Sequence, residues 1–152
     1  MSRRVIAERG QFRYIRKSDL DQPFTNRLRI LNGLDLYDFL ECNAANRHVL
    51  VYDHRGKVLC VLVLDDEEDH FYINIIENNE SYEKECDEIN PAPRMIRYIE
   101  DISESVGYSK ITLDSIQQLV PYYEMLGFVQ SGRTVFDRNY GMLSNMSKPL
   151  GR

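Results

Sequence analysis

The segment Arg94–Val106 constrains the fold more than any other part of the chain. Met95, Ile96, Ile99, Ile102 and Val106 recur at helical spacing and form one apolar stripe. Pro93 stands before the stripe and Gly107 after it, the residues that favour a helix start and a helix stop. The flanking runs read as strands: Phe71–Ile76 is rich in β-branched and aromatic residues, and Lys110–Leu113 is short and apolar. Strand, amphipathic helix and strand in succession predict a parallel βαβ crossover.

Antiparallel signals surround that unit. Val49–Tyr52 and Val58–Leu64 flank the turn Asp53-His54-Arg55-Gly56, and a second turn at Asp65–Asp69 leads into Phe71–Ile76. Phe12–Ile15 alternates like a first strand, and Ser18 and Asp19 offer caps for a helix after it. Two short helices are predicted around Phe24–Leu31 and Leu36–Ala45, with Gly33 between them. After the crossover, Ser115-x-x-Gln118 has the form of a capping box. Leu119, Tyr122, Tyr123 and Leu126 then share a helical face that ends at Gly127. Phe128–Ser131, Thr134–Phe136 and Tyr140–Met146 close the chain as strands. The predicted order is β, α, α, β, β, β, α, β, α, β, β, in one domain over residues 1–152.

Composition excludes several classes. The net charge of −5 argues against nonspecific nucleic-acid binding, which needs a basic footprint. Positive charge gathers at Arg3, Arg4, Arg9, Arg13, Arg16 and Lys17, which reads as a solvated arm, flexible over residues 1–10. The longest apolar run, Val58–Leu64, is far below the ~20 residues of a membrane span. The first ten residues lack the apolar stretch of a signal peptide. Cys42, Cys60 and Cys86 have no metal-ligand spacing, and His48, His54 and His70 are scattered; no metal site is expected, and the cysteines read as reduced thiols of a cytoplasmic protein.

Local text points further. Pro121-Tyr122-Tyr123-Glu124-Met125-Leu126-Gly127-Phe128 resembles the aromatic–Tyr–Glu–x–Leu–Gly–Phe signature of the GNAT (GCN5-related N-acetyltransferase) superfamily. Gly141–Leu150 resembles that family's last strand, and Arg94–Tyr108 matches the apolar pattern of its third helix. The resemblance covers most of the chain. It implies an α/β (α+β) GNAT fold: a mixed, mostly antiparallel sheet with helices on both faces and a splayed parallel pair formed by the fourth and fifth strands. It also implies transfer of an acetyl group from acetyl-CoA to a primary amine on a small molecule, a protein lysine or an N-terminus. Homodimers are common in this family.

By the same resemblance, Ile75, Ile76 and Glu77 meet the pantetheine arm through their backbone, and Tyr123 protonates the leaving thiolate. Spacing alone reads Tyr123 as a core tyrosine. Glu77 is a candidate base or a solvated carboxylate. Tyr72 and Asn74 share a strand face and line the acceptor side or face a helix or water; Asp114 follows the fifth strand, at the end where open sheets bind ligands. The family's glycine-rich pyrophosphate loop falls on Asn90-Pro91-Ala92-Pro93, where two prolines remove N–H donors. Arg94 and Arg97 offer compensating charge in the first helical turn. The approach from Glu77 to Glu88 is acidic, which repels a polyphosphate and fits a cationic acceptor. Where the family places an asparagine upstream of its tyrosine, this chain has Ile116. The alternative to the enzyme is a GNAT-like binding or regulatory module that has lost coenzyme A.

Overall fold

The computed structural model describes residues 5–24, 46–138 and 140–151. The predicted helices at Phe24–Leu31 and Leu36–Ala45 fall almost wholly outside them. Seven strands form one sheet in the order β1-β2-β3-β4-β5-β7-β6. They are β1 (Phe12–Tyr14), β2 (Arg47–His54), β3 (Lys57–Asp66), β4 (Phe71–Asn78), β5 (Lys110–Ile116), β6 (Val129–Asp137) and β7 (Gly141–Pro149). Among the described residues, only β4 and β5 pair in parallel. The described α-helices are α1 (Glu83–Ile89), α2 (Pro91–Ser105) and α3 (Val120–Met125).

The β2–β3 hairpin turns on Arg55 and Gly56, both at positive φ (52° and 89°), as a two-residue turn requires. The β3 residues Val58–Leu64 are buried on both sides of the sheet, which is why they read as a continuous apolar run. Leu59, Cys60, Leu62 and Leu64 join Met95, Ile96 and Ile99 of α2 in one core, whereas Val58, Val61 and Val63 face a second core with Ile15 and Phe24. The stripe on α2 therefore packs as its spacing predicts. Its buried face also takes in Tyr98, 1% exposed, which stacks on Phe12 at 4.5 Å and donates its hydroxyl to the Ala7 carbonyl.

Burial pushes the Tyr98 phenol up to about 12. The neutral phenol is thus the form the fold prefers. Its contribution is complete below the unfolded value of about 10 and is lost as the pH rises through the folded value. Urea denaturation at a series of pH values should show stability level to pH ~9.5 and falling above it. Tyr98→Phe should flatten that fall; an equally steep fall in the variant would assign it elsewhere.

Several local expectations are corrected. Ser115 lies inside β5 and donates to the Ile116 carbonyl, so it caps no helix; β5 runs on three residues beyond Leu113 because β7 pairs with it along its whole length. The two strands expected after Gly127 are one, β6, with an irregularity between Gln130 and Thr134. The acidic stretch before α2 is helical: a turn at Glu80–Tyr82 leads into α1. Helix α2 starts at Pro91, and both prolines fit its first turn, where an N–H has no intrahelical partner. The basic arm is partly interior: Ile6 is 1% exposed, Arg9 pairs with Asp101 at 2.9 Å, and Arg13 is buried against Asp19.

Candidate active site

Strands β4 and β5 pair only at Phe71–Ile111, Tyr72–Thr112 and Ile73–Leu113. Beyond that point they part. Ile75, Ile76 and Glu77 pair with Val63, Leu62 and Val61 of β3, while Asp114, Ser115 and Ile116 pair with Asn145, Ser144 and Leu143 of β7. The separation begins at a bulge: Leu64 opposes Ile73 and Val63 opposes Ile75, so Asn74 is an extra residue in β4. Side-chain alternation therefore changes at Asn74, with Ile73 and Ile76 on the α2 side and Ile75 on the other.

A cavity of about 210 Å³ occupies the gap, lined by both strands, by Leu119 and Tyr123, and by Asp137, Tyr140 and Leu143 of the β6–β7 hairpin. Of the residues singled out from the sequence, Tyr72, Asn74, Ile75, Ile76, Asp114 and Tyr123 come together here. Tyr123 is 8% exposed, its ring edge-on to Phe128 at 5.8 Å and to Tyr122 at 5.3 Å. Tyr72 donates its hydroxyl to Asp114 Oδ2 at 2.8 Å, and Asn145 Nδ2 donates to Asp114 Oδ1 at 3.0 Å. Asn74 donates to Asp65 at 3.0 Å, which is itself held by Arg47 at 2.8 Å. Burial, and then the hydrogen bond to Asp114, push the Tyr72 phenol well above its usual range, so Tyr72 remains a neutral donor to a carboxylate.

Other expected residues lie elsewhere. Glu77 is half-buried beyond the cavity and faces Val61 in register, so its side chain does not line the gap. Asn90 has left-handed backbone (φ 54°) and closes α1, its N–H bonded to the Cys86 carbonyl at 2.7 Å. Ala92 packs against the core. Arg94 donates from Nε to the Ile89 carbonyl at 2.9 Å. Arg94 and Arg97 line a separate groove with Arg9, Phe12 and Tyr52, on the β1–β2 side of α2. The physical reason is helical phase: with Met95, Ile96 and Ile99 committed to the core, positions 94 and 97 point outward. Leu119 is exposed where the sequence put a core residue, and Val120 is buried in its place.

Sequence reasoning missed Asp137, Tyr140, Leu143 and Asn145, which reach the site through hairpin pairing rather than through any local pattern. Among the described residues no His, Cys, Asp or Glu cluster could hold a metal ion, and no helix is long and apolar enough to cross a membrane.

A mixed sheet that opens between a parallel β4–β5 pair is the GNAT fold, and solved structures of that fold match this chain. No protein-family model matches it, and no curated protein matches it by sequence. An aminoglycoside 6'-N-acetyltransferase complexed with coenzyme A superposes with a TM-score of 0.67 at 13% identity, covering 93% of this chain and 98% of its own. Ard1 from Thermoplasma volcanium gives 0.66 at 12% identity, covering 93% and 97%. A spermidine N-acetyltransferase chimera, from Vibrio cholerae SpeG and hSSAT, gives 0.66 at 16% identity, covering 92% and 96%. At these identities the likeness is one of fold.

Proposed function

We propose that the chain is an N-acetyltransferase that moves an acetyl group from acetyl-CoA to a primary amine in the cytoplasm. The observation that carries this is the β4–β5 gap holding Tyr123 together with the Tyr72–Asp114 pair. The fit to the donor is uneven. Ile75, Ile76, Leu113, Ile116 and Leu119 line a gap suited to a pantetheine arm and thioester. The pyrophosphate end does not fit: α2 starts with two prolines among its first four residues, and α1 places Glu83, Glu85, Asp87 and Glu88 beside that start.

A thioester supplies an activated acyl carbon when bound. The chain supplies the rest. Tyr123 holds a phenolic proton at the wall of the gap for a departing sulfur. Tyr72 and Asn145 orient the Asp114 carboxylate toward the acceptor. Asp114 and Asp137 are the carboxylates among the described residues of the lining, and none of those residues is Lys, Arg or His. This favours a cationic amine, and moves the basis for that preference from the acidic segment before α2 to the cavity itself. An aminoglycoside 6'-N-acetyltransferase and a spermidine N-acetyltransferase chimera share this fold.

Acetyl-CoA incubated with a panel of neutral and polycationic amines, read by mass spectrometry, tests the proposal. Acetylation should favour the polycations. Asp114→Asn should raise the acceptor KM about tenfold or more with a smaller change in kcat, since it removes a charge-assisted contact. No acetylation of any amine would leave the second reading, a binding module, which the prolines of α2 favour. Val129, Val135, Phe136 and Met142 stay exposed on the β6–β7 hairpin and support a homodimer through that edge, which sedimentation velocity checks.

A further inference from the structure

We infer that the chain recognises its acyl donor through the pantetheine arm alone, so that an acyl-pantetheine thioester serves whether or not it carries an adenosine diphosphate end. The inference rests on the acyltransfer reading of the same cleft. It comes from what surrounds the outer end of the β4–β5 gap.

A pyrophosphate diester carries two negative charges and needs N–H donors or cations. The donors at the start of α2 are few. Of the first four N–H groups of α2, those of positions 91 and 93 do not exist. The N–H of Asn90 is bonded to Cys86. Arg94 spends its Nε on the end of α1. Arg97 lines the groove beside Phe12 and Tyr52. Register through Phe12–Tyr52, Tyr52–Cys60 and Cys60–Asn78 puts β1, on the far wall of that groove, three strand spacings from β4, about 14 Å away. The segment between β4 and α2 adds Glu80, Glu83, Glu85, Asp87 and Glu88; of these, Glu85 is paired, with Lys57. A polyphosphate placed there meets these carboxylates against Lys84, the N–H groups of Ala92 and Arg94, and the outward-turned side chains of Arg94 and Arg97. The inner part of the gap has none of these defects.

The step needs nothing beyond a thioester and an amine. The amine nitrogen forms a bond to the acyl carbon, the C–S bond breaks with its electron pair going to sulfur, the nitrogen releases one proton, and the sulfur takes one up. The products are an amide and free pantetheine thiol. Two sources share this chemistry: a small thioester whose remote end stays in solvent, and a pantetheine arm carried by a protein.

The experiment compares S-acetylpantetheine, acetyl-CoA and an acetylated carrier protein as donors, following thiol release and amide formation with a cationic amine. Calorimetry with pantetheine, coenzyme A and adenosine 3′,5′-diphosphate gives a readout without turnover. Pantetheine and coenzyme A should bind within about threefold of each other, and the diphosphate alone should neither bind nor compete at millimolar concentration. The two small donors should likewise agree within about threefold in kcat/KM. Even one charge-assisted contact to the diphosphate would give coenzyme A an advantage of about tenfold or more, and that result overturns the inference. A carrier-bound acetyl group that outperforms S-acetylpantetheine supports it and identifies the protein-borne source; parity supports it with the small thioester. Matched binding without transfer from any donor overturns the acyltransfer reading, a failure distinct from that of unequal binding.

Discussion

Tyr123→Phe should lower acetyl transfer by about 10²-fold or more, the range for removing a general acid, while the thermal midpoint moves little. The two expectations separate because the ring and the hydroxyl do different work. The ring is 8% exposed and is held edge-on by Phe128 and Tyr122. Phenylalanine keeps that packing, so folding loses about 1 kcal/mol at most, the net worth of one hydrogen bond. Tyr123 is also part of the wall of the β4–β5 gap. Loss of kcat with unchanged affinity for the pantetheine arm is the signature of a proton donor. Equal turnover in the two proteins would return Tyr123 to a purely structural role, the role its spacing alone assigns.

The largest stability effect is expected at Arg13. Arg13→Ala should cost about 3–5 kcal/mol, as breaking a buried ion pair does. The guanidinium is 7% exposed and meets Asp19 twice, at 2.8 and 2.9 Å, Asp53 at 2.9 Å and the Tyr14 carbonyl at 3.0 Å. Removing it leaves Asp19, 3% exposed, with a buried charge and no guanidinium. A double substitution, Arg13→Met with Asp19→Leu, should recover most of the loss, because an apolar pair carries no desolvation penalty. Burial pushes the Asp53 carboxyl up, but hydrogen bonds from Arg13 and the Gly56 N–H outweigh it and hold the group below its usual range. Its stabilisation is therefore present above the unfolded value of about 4 and is lost as the pH falls below it. Urea titrations at pH 7 and in mild acid measure both effects; a loss below 1 kcal/mol in Arg13→Ala would show that water replaces the guanidinium.

Arg13 also shows where the sequence is silent. Among six basic residues in the first seventeen it looks like part of a solvated arm. Its partners lie six and forty positions away, and no periodicity reports such contacts. Periodicity does report the stripe on α2, the double burial of β3 and the parallel crossover, because each depends on spacing within one element. The cleft is intermediate. Tyr72, Asp114 and Tyr123 are legible from strand ends and local text, whereas Asp137, Tyr140 and Asn145 depend on how β7 registers against β5. Glu77, Arg94 and Arg97 are near the cleft along the chain but are not among the residues that line it, and for the two arginines helix phase is the cause.

The extra residue in β4 has a consequence for how this chain tolerates change. Deleting Asn74 would alter no charge and remove no core side chain, yet it would restore continuous pairing with β3. Ile75 and Ile76 would keep their sides of the sheet, since Ile75 would follow Ile73 directly in the alternation, but the bulge at which the strand now parts from β5 would be gone. The width of the gap is thus encoded in a count of residues rather than in their identities. A library of substitutions would pass over it, whereas a library of single-residue deletions and insertions would find in β4 a position where the reading frame of the strand is itself the functional element.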